Sequence, residues 1–346
     1  MGLEVLSEAI RGTDWAKALA EKISPQHALR FDYWGQFRRL RDQVSAEVGG
    51  IPSLLPEFTP HNEEHHLMPL IVIADKMLGA KHYEKMNAGE LFLLGCGLYT
   101  HDWGMAVGQD EITSLSTGAT TVPPEARFAP LPDERQQLED FANRYGLTRP
   151  GNETPLDKNY LQLYVRETHA RRSGARAEAF FRDVNQSVGR ALKAICEGHN
   201  LSFRQLEDED RYPRVRSVLS EEVNLCAVTV YVRLVDLFDI GEDRTPSAIR
   251  RFVAPRDARA QVEWEKHRCL NPVIFGDYGD GRAVHVDGSA DTPEIWAQLE
   301  DLRIYCQDQL NGAMDLLAHR SGKLPQLDLR KLEWKVAAEG FERRDA

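Results

Sequence analysis

Paired cysteines, basic tracts and long apolar stretches are all missing from this sequence. Its five cysteines lie singly, without a Cys-x-x-Cys motif, which argues against a disulfide framework or a zinc knuckle and favours reduced, buried thiols in a cytoplasmic protein. No apolar run approaches the roughly 18 residues that span a bilayer, so we expect no membrane segment. The acidic N-terminus predicts no secretion signal. A net charge of −11 without a lysine- or arginine-rich tract predicts no strong binding to duplex nucleic acid.

The composition is typical of a soluble globular protein. The chain has 346 residues, of which 42% are hydrophobic and 28% charged, enough for one large domain or two ordinary ones. Helical periodicity dominates the first two thirds, from an amphipathic stretch over 13–48 to helices near 158–172, 176–198 and 219–240, the last of which is strongly apolar.

The pattern changes after about residue 255. A β-hairpin around a glycine-rich turn, a helix at about 293–319 and a candidate strand over 324–329 predict a small α/β appendage. We therefore expect a mainly α fold, with one domain over 1–255 and the appendage over 256–346. Residues 106–157, rich in Gly, Thr, Pro and acids, predict an insertion or lid with only a short helix near 133–145.

Two side chains suited to metal binding, His101 and Asp102, close an otherwise apolar helix that a capping box at Asn87 and Glu90 opens. Burying an imidazole and a carboxylate costs several kcal/mol unless something compensates, and a metal ion does that well. Further histidines and aspartates lie inside or at the ends of predicted helices: His65, His169, His199 and Asp236. Such ligands from several helices can hold one or two divalent ions in a helical bundle.

The ordered set His…His-Asp…His…His…Asp resembles the HD superfamily of metal-dependent phosphohydrolases. The segments that carry the resemblance are Phe58–His65, Leu98–Met105, Arg166–Ser173, Glu197–Asn200 and Val232–Asp239. A W-x-x-H segment formed by Trp264 and His267 is similar to the HD-CE subgroup, which is found in bacterial conflict systems beside or fused to ATPase and effector proteins. The resemblance implies an HD-type helical bundle.

The same resemblance implies a metal centre of six ligands: His65, His101, Asp102, His169, His199 and Asp236. His101 and Asp102 are the expected catalytic pair, and Asp102 is expected to bridge two ions. One or two ions of Mn, Fe, Mg, Ni or Co are implied, together with hydrolysis of a nucleotide or phosphodiester by metal-activated hydroxide. The appendage is a candidate site for a protein partner.

Side chains near these motifs are candidates for substrate contact: His61, Arg166, Arg172, Arg233 and Arg244. Arginine holds phosphate oxygens in a bidentate fork, and Arg233 is the strongest candidate because its helix is otherwise apolar. His61 lies one helical turn before His65, whereas His66 is expected to point elsewhere and to be structural.

Two alternative functions stay open. The segment from His61 to His65 also satisfies H-x-x-E-H, the inverted zinc-protease signature, although it lacks an assigned third ligand and leaves the other motifs unexplained. A regulatory module that senses a nucleotide without turnover and signals through the appendage is the other alternative. All five motifs are intact, which favours catalysis.

Overall fold

Helices form most of this chain. The computed structural model describes residues 7–51, 57–117, 131, 133–146, 158–256, 258–278, 281–327 and 329–338. The α-helices of these residues are α1 (Glu8–Arg11), α2 (Asp14–Lys22), α3 (Pro25–Arg30), α4 (Tyr33–Val48), α5 (Met68–Lys85), α6 (Ala88–Thr100), α7 (Gln109–Thr117), α8 (Glu134–Arg144), α9 (Lys158–Phe181), α10 (Gln186–Gly198), α11 (Phe203–Leu206), α12 (Leu225–Leu237), α13 (Ser247–Val253), α14 (Ala258–Arg268) and α15 (Pro293–Arg320). The mainly α fold class is thus confirmed.

Short helical turns and strands complete the described structure. A π-helical turn over Glu63–Leu67 leads into α5, and 3-10 turns occupy Trp103–Met105 and Glu242–Arg244. The strands are β1 (Arg216–Val218), β2 (Glu221–Val223), β3 (Ile274–Tyr278), β4 (Gly281–Ala290) and β5 (Leu329–Ala338).

Several helix boundaries differ from the periodicity in the sequence. The amphipathic stretch 13–48 is divided into α2, α3 and α4 because side chains of Thr13, Ser24 and Asp32 each accept a backbone N–H and begin a new helix. The predicted helix over 219–240 begins only at Leu225, after an antiparallel pairing of β1 with β2. In α9 the helix continues unbroken to Phe181.

The segment expected to be an insertion is partly helical. The short helix predicted near 133–145 is present as α8, and α7 is a helix that the composition did not indicate. Residues 118–130, 132 and 147–157 of this segment lie outside the described residues. Its interpretation as a lid therefore stays a prediction.

Helix α6 forms the centre of the bundle and delivers the His-Asp pair. Every residue of α6 is buried, and the predicted capping box between Asn87 and Glu90 is present. Trp15 packs across the helix, where its indole Nε1 donates to the Leu91 carbonyl at 2.8 Å. A Cβ at Gly95 would lie 2.1 Å from the Trp15 ring, so only glycine permits this contact. Helix α6 is therefore enclosed by neighbouring elements along its whole length.

The C-terminal region contains the predicted hairpin. Strands β3 and β4 pair antiparallel, and β4 pairs in parallel with β5 after the crossover through α15. The last strand lies further along the chain than the predicted 324–329. One hydrophobic cluster contains both Leu234 of α12 and Leu310 of α15, so the bundle and the appendage share a core. The domain boundary near 255 stays a prediction.

None of the helices within the described residues combines the length and the apolar character needed to cross a membrane.

Candidate metal centre

The end of α6 places His101 and Asp102 in the interior. His101 caps α6, and the chain then turns sharply through Trp103–Met105. Gly104 permits the close approach of α9, because a Cβ there would lie 2.1 Å from the His169 carbonyl oxygen. The Gly104 N–H donates to the Ser173 hydroxyl at 2.7 Å. This contact fixes the His-Asp turn directly against the helix that carries His169.

One group of candidate ligands surrounds Oδ2 of Asp102. Ligand atoms of His66, His101, Asp102 and Asp236 all lie within 4.8 Å of one another. Nε2 of His101 is 3.5 Å from Asp102 Oδ2 and 3.2 Å from Asp236 Oδ1. Nε2 of His66 is 3.7 Å from Asp102 Oδ2 and 4.0 Å from Asp236 Oδ1. Three elements, the π-helical turn, α6 and α12, supply these four residues.

A second group surrounds the other oxygen of the same carboxylate. Oδ1 of Asp102 is 3.2 Å from Nε2 of His169 and 3.7 Å from Nε2 of His199. These two imidazoles come from α9 and from the end of α10. Asp102 therefore belongs to both groups, with one carboxylate oxygen facing each, as a carboxylate that bridges two ions would.

The tautomers of five histidines follow from their hydrogen bonds. The Nδ1 atom faces a backbone carbonyl oxygen in His61, His101, His169 and His199, and it faces the Asp239 carboxylate in His66. Because these oxygens can only accept, each Nδ1 carries a proton, and in the neutral form of each ring the Nε2 lone pair is directed at the cluster. The centre is thus rich in lone pairs and carboxylate oxygens.

This donor set fits divalent cations. The buried Nε2 atoms of His66 and His101 have no hydrogen-bond partner, which is costly unless another group binds them. Nε2 of His169 lies 3.1 Å from Nε2 of His199, so two lone pairs face each other unless a cation or a shared proton lies near them. Mixed imidazole and carboxylate ligation suits a first-row transition ion or magnesium, and it does not select one of them.

The electrostatics of the metal-free cluster also favour the binding of cations. Burial disfavours a charged His101, but Asp102 and Asp236 outweigh burial and raise the pKa of His101 to about 9. Burial, together with the neighbouring His169 and His101, lowers the pKa of His199 to about 4. Burial would raise the pKa of Asp102, but the charge of His101 and the close approach of other histidines hold that pKa well below its usual range. The carboxylates are therefore ionised and attract cations.

His66, and not the expected His65, belongs to the cluster of candidate ligands. His65 lies at the rim, with Nε2 3.8 Å from the exposed Glu64 carboxylate, and it belongs to neither group of candidate ligands. The expectation that His66 points elsewhere is wrong, because its ring is completely buried against the carboxylates. The role of His65 as a ligand is therefore not supported by its position.

A π-helical turn causes this shift by one residue. Asn62 caps the turn, and its carbonyl accepts the N–H of both His66 at 3.1 Å and Leu67 at 3.2 Å. Pro69 has no N–H to donate to the His65 carbonyl, so regular α-helical pairing restarts beyond it. The helical turn begins at Glu63, after His61, so the α-helical phase assumed for His61 and His65 does not apply.

The remaining site histidine, His61, precedes the helix and still reaches the cluster. Its Nε2 lies 3.5 Å from Asp102 Oδ2, and burial together with the charge of Arg244 lowers its pKa to about 4. Within the described chain, His61 and His65 do not share a group of candidate ligands. The H-x-x-E-H arrangement expected for a zinc protease is thus not assembled here.

Arg172, an expected substrate contact, is enclosed by protein groups. Its Nε donates to the Gly104 carbonyl at 3.0 Å, its Nη1 to Glu134 at 2.7 Å and its Nη2 to Glu111. Arg176 donates to the second oxygen of Glu111 at 2.7 Å. Both arginines are buried, so this network connects α7 and α8 to the His-Asp turn and leaves Arg172 no access to a substrate.

The other candidate arginines differ in their availability. Arg233 donates to Gln309 at 2.8 and 2.6 Å and to the Leu201 carbonyl, which fixes its position near the rim. Arg166 is half-buried, with its guanidinium 5.5 Å from the Phe58 ring centroid. No ion pair to another residue in the described part of the chain occupies Arg166, so it is the arginine best able to contact an anion.

Arg244 lies on the side of the cluster formed by Pro60 and Asp239. Its Nη1 donates to the Pro60 carbonyl at 2.7 Å, and its Nε lies 3.2 Å from Asp239 Oδ2. Oδ2 of Asp239 is also 2.7 Å from Nδ1 of His66. Arg244 therefore connects the segment before His61 to the carboxylate that orients His66, and it does not face the open side.

The sequence analysis assigned no functional role to three residues that lie at the cluster: His66, Asp239 and Asn200. Asn200 Nδ2 lies 3.0 Å from Nε2 of His169, and it is exposed at the rim. Asp239 follows Asp236 by three residues, which is one helical turn, and this spacing was the signal that could have indicated a supporting carboxylate.

Comparison with known families agrees with this geometry. A family model described as HD-CE matches residues 55–315, which is more than half of the 346 residues of the chain. No curated protein and no solved structure shows significant similarity to the chain. The matched range contains every candidate ligand described above and the W-x-x-H segment at Trp264 and His267. The chain belongs to the HD-CE family.

Proposed function

We propose that this protein is a metal-dependent phosphohydrolase that acts on a nucleotide or phosphodiester. The observation that carries the proposal is the shared carboxylate of Asp102, which faces His66 and His101 through one oxygen and His169 and His199 through the other. Two groups of nitrogen and oxygen donors joined by one carboxylate suit two adjacent divalent ions, the arrangement that serves phosphoester hydrolysis in many enzymes.

The proposed ligand set is His66, His101, Asp102 and Asp236 for one ion and Asp102, His169 and His199 for the other. Ions of Mn, Fe, Mg, Ni or Co bound there would polarise a phosphoryl oxygen and lower the pKa of water. The chain holds the imidazoles in one orientation through their Nδ1 bonds, so little reorganisation is needed when charge develops.

Substrate access is proposed on the side of Asp236. The Asp236 side chain is 30% exposed, whereas those of His66, His101 and Asp102 are at most 10% exposed. Arg166 and Asn200, at the same rim as His169, are placed to hold phosphate oxygens by charge-assisted hydrogen bonds. The buried interior excludes bulk water from the donors and strengthens their electrostatic effect.

The location and partners are also proposals. Five free and buried cysteines support a reducing, cytoplasmic environment. A protein partner that binds the appendage, and a role in bacterial defence, stay proposals that rest on the family resemblance.

Metal analysis combined with substrate screening tests the proposal. We expect one or two divalent ions per chain by elemental mass spectrometry, and loss of both metal and phosphate release in His101→Ala and Asp102→Ala. His319→Ala, in an exposed histidine at the end of α15, is the matched control. Nucleotide binding without turnover by the metal-loaded wild type would favour a sensing module. Absence of metal after reconstitution with manganese and iron would overturn the proposal.

A further inference from the structure

An exposed aromatic side chain, Tyr305, lies on α15 beside the open side of the metal centre. Tyr305 is 51% exposed and the adjacent Ile304 is 50% exposed. They are the one adjacent pair of exposed large hydrophobic side chains among the described residues. Their position relative to Asp236 follows from the contacts between α12 and α15.

Helices α12 and α15 run antiparallel along a series of side-chain contacts. Before the first turn of α12, Asn224 Nδ2 donates to the Arg320 carbonyl at the end of α15, at 2.8 Å. Nine residues later, Arg233 Nε donates to Gln309 Oε1 at 2.8 Å. Residues further along α12 therefore contact residues nearer the start of α15.

The next turn brings Tyr305 to Asp236. Asp236 follows Arg233 by three residues, and Tyr305 precedes Gln309 by four, so each lies one turn further along the same face. The charges of Arg233 and Asp236 both act on the phenol of Tyr305, although partial burial is the main reason that its pKa is raised. Tyr305 thus borders the side on which Asp236 is exposed.

Arg233 gives this rim a fixed positive charge. Its guanidinium carbon lies 4.6 Å from the centroid of the Phe203 ring, and Gln309 holds two of its nitrogens. The aromatic ring of Tyr305 lies level with Asp236, and the fixed charge of Arg233 lies one helical turn away. A molecule complementary to this rim has a planar apolar group next to a phosphate.

We infer that Tyr305 is a stacking platform for the base of a nucleotide whose phosphate enters the metal centre. This inference rests on the proposed function and narrows the substrate class to nucleotides, as opposed to sugar phosphates and other phosphoesters without an aromatic group. A tyrosine ring stacks on any base, so recognition at this position is tolerant of sequence and of base identity. Tyr305 is a specificity residue that contacts the base and takes no part in phosphate chemistry.

Binding measurements separate base stacking from phosphate binding. Dissociation constants for 5′-AMP, 5′-GMP and ribose 5-phosphate are measured by isothermal titration calorimetry on the manganese-loaded full chain and on Tyr305→Ala and Tyr305→Phe. We expect Tyr305→Ala to weaken nucleotide binding relative to ribose 5-phosphate by about 5- to 100-fold, the loss typical of one base–aromatic stack. Tyr305→Phe retains the ring and should keep the wild-type ratio.

Ile304→Ala removes an equally exposed apolar side chain from the same helix and should leave nucleotide affinity unchanged. An equal effect of Tyr305→Ala on nucleotides and ribose 5-phosphate, or no effect, overturns the stacking role. Failure of the wild type to bind any nucleotide overturns it as well, and would leave Tyr305 and Ile304 as a surface for a protein partner.

Turnover assays distinguish this inference from the proposed function. Metal-dependent release of phosphate from ribose 5-phosphate with no preference for nucleotides would support hydrolysis and reject the platform. A change of nucleotide affinity in Tyr305→Ala without any turnover by the wild type would support the platform and reject hydrolysis.

Discussion

Nε2 of His169 lies 3.1 Å from Nε2 of His199, although each ring directs its Nδ1 at a backbone carbonyl and so leaves Nε2 without a proton when neutral. Two lone pairs at this separation repel each other. A cation between the rings and the nearby Asp102 carboxylate, or a proton on one imidazole, would remove this repulsion. The predictions below test this and the supporting structure.

Substitution of His65 and His66, one at a time, should show which of the two histidines binds the metal. His66→Ala should lower the affinity of the protein for manganese at least about tenfold, because it removes a nitrogen directed at Asp102 and Asp236. His65→Ala should retain wild-type affinity, since His65 belongs to neither candidate group. Metal affinity is measured by competition with a chromogenic chelator. The reverse result, with loss only in His65→Ala, would contradict the ligand assignment.

Asp239 should control metal binding without contacting the metal. Asp239→Asn removes the charge that holds the proton on Nδ1 of His66, at 2.7 Å, and we expect a loss of about 10- to 100-fold in metal affinity. The same chelator competition measures it. Asp243→Asn, at an exposed position in the following turn, should have no effect. Equal affinities for the two variants would show that Asp239 does not act through His66.

The contact at Gly104 should be sensitive to a single methyl group. A Cβ there would lie 2.1 Å from the His169 carbonyl oxygen, whereas one at Gly108 meets nothing within 4 Å. Gly104→Ala should therefore lower the free energy of unfolding by about 1–3 kcal/mol or more and displace His169. Urea denaturation and metal titration follow both effects, with Gly108→Ala as the control. Similar stabilities for the two variants would argue against this close approach.

The buried ion-pair network of Glu111, Arg172 and Arg176 should stabilise the fold only while each charge keeps its partners. Glu111→Gln removes the carboxylate that the buried Arg172 and Arg176 share and leaves them only Glu134 and the more distant Glu47. This should cost about 3–5 kcal/mol of unfolding free energy. Asp133→Asn breaks the exposed pair with Arg171 and should cost at most about 1 kcal/mol. Chemical denaturation measures both. A cost for Glu111→Gln as small as that of the surface variant would contradict the burial of this network.

The metal-free protein should be most stable near pH 6.5. His61 and His199 have a pKa of about 4 in the folded state against 6.5 when unfolded, so the unfolded chain binds more protons and stability falls as the pH drops through this range. His101 has a folded pKa of about 9, so its contribution is complete below pH 6.5 and is lost as the pH rises through 9.

Thermal unfolding of metal-free protein between pH 4 and 9 measures this profile. His199→Gln should flatten the acidic side, and His101→Gln should flatten the alkaline side. A wild-type profile that rises continuously toward pH 9 would show that His101 does not gain a proton in the folded cluster.

Local sequence determined much of this protein. The capping box at Asn87 and Glu90 and the uninterrupted apolar run after it dictate a buried helix that ends at His101, because capping and burial depend on neighbours along the chain. The ordered His and Asp motifs indicated the HD family. Five of the six expected ligands belong to the two groups of candidate ligands in the structure: His101, Asp102, His169, His199 and Asp236.

Tertiary structure decided the rest. Helical periodicity cannot reveal a π-helical turn, so it assigned to His65 the inward position that His66 occupies. Whether each arginine is available to a substrate also depends on residues distant in the chain. Glu111 and Glu134 enclose Arg172, and Gln309 fixes Arg233. Charge partners and the phase of an irregular turn arise from packing between elements, and a linear sequence carries no direct record of either.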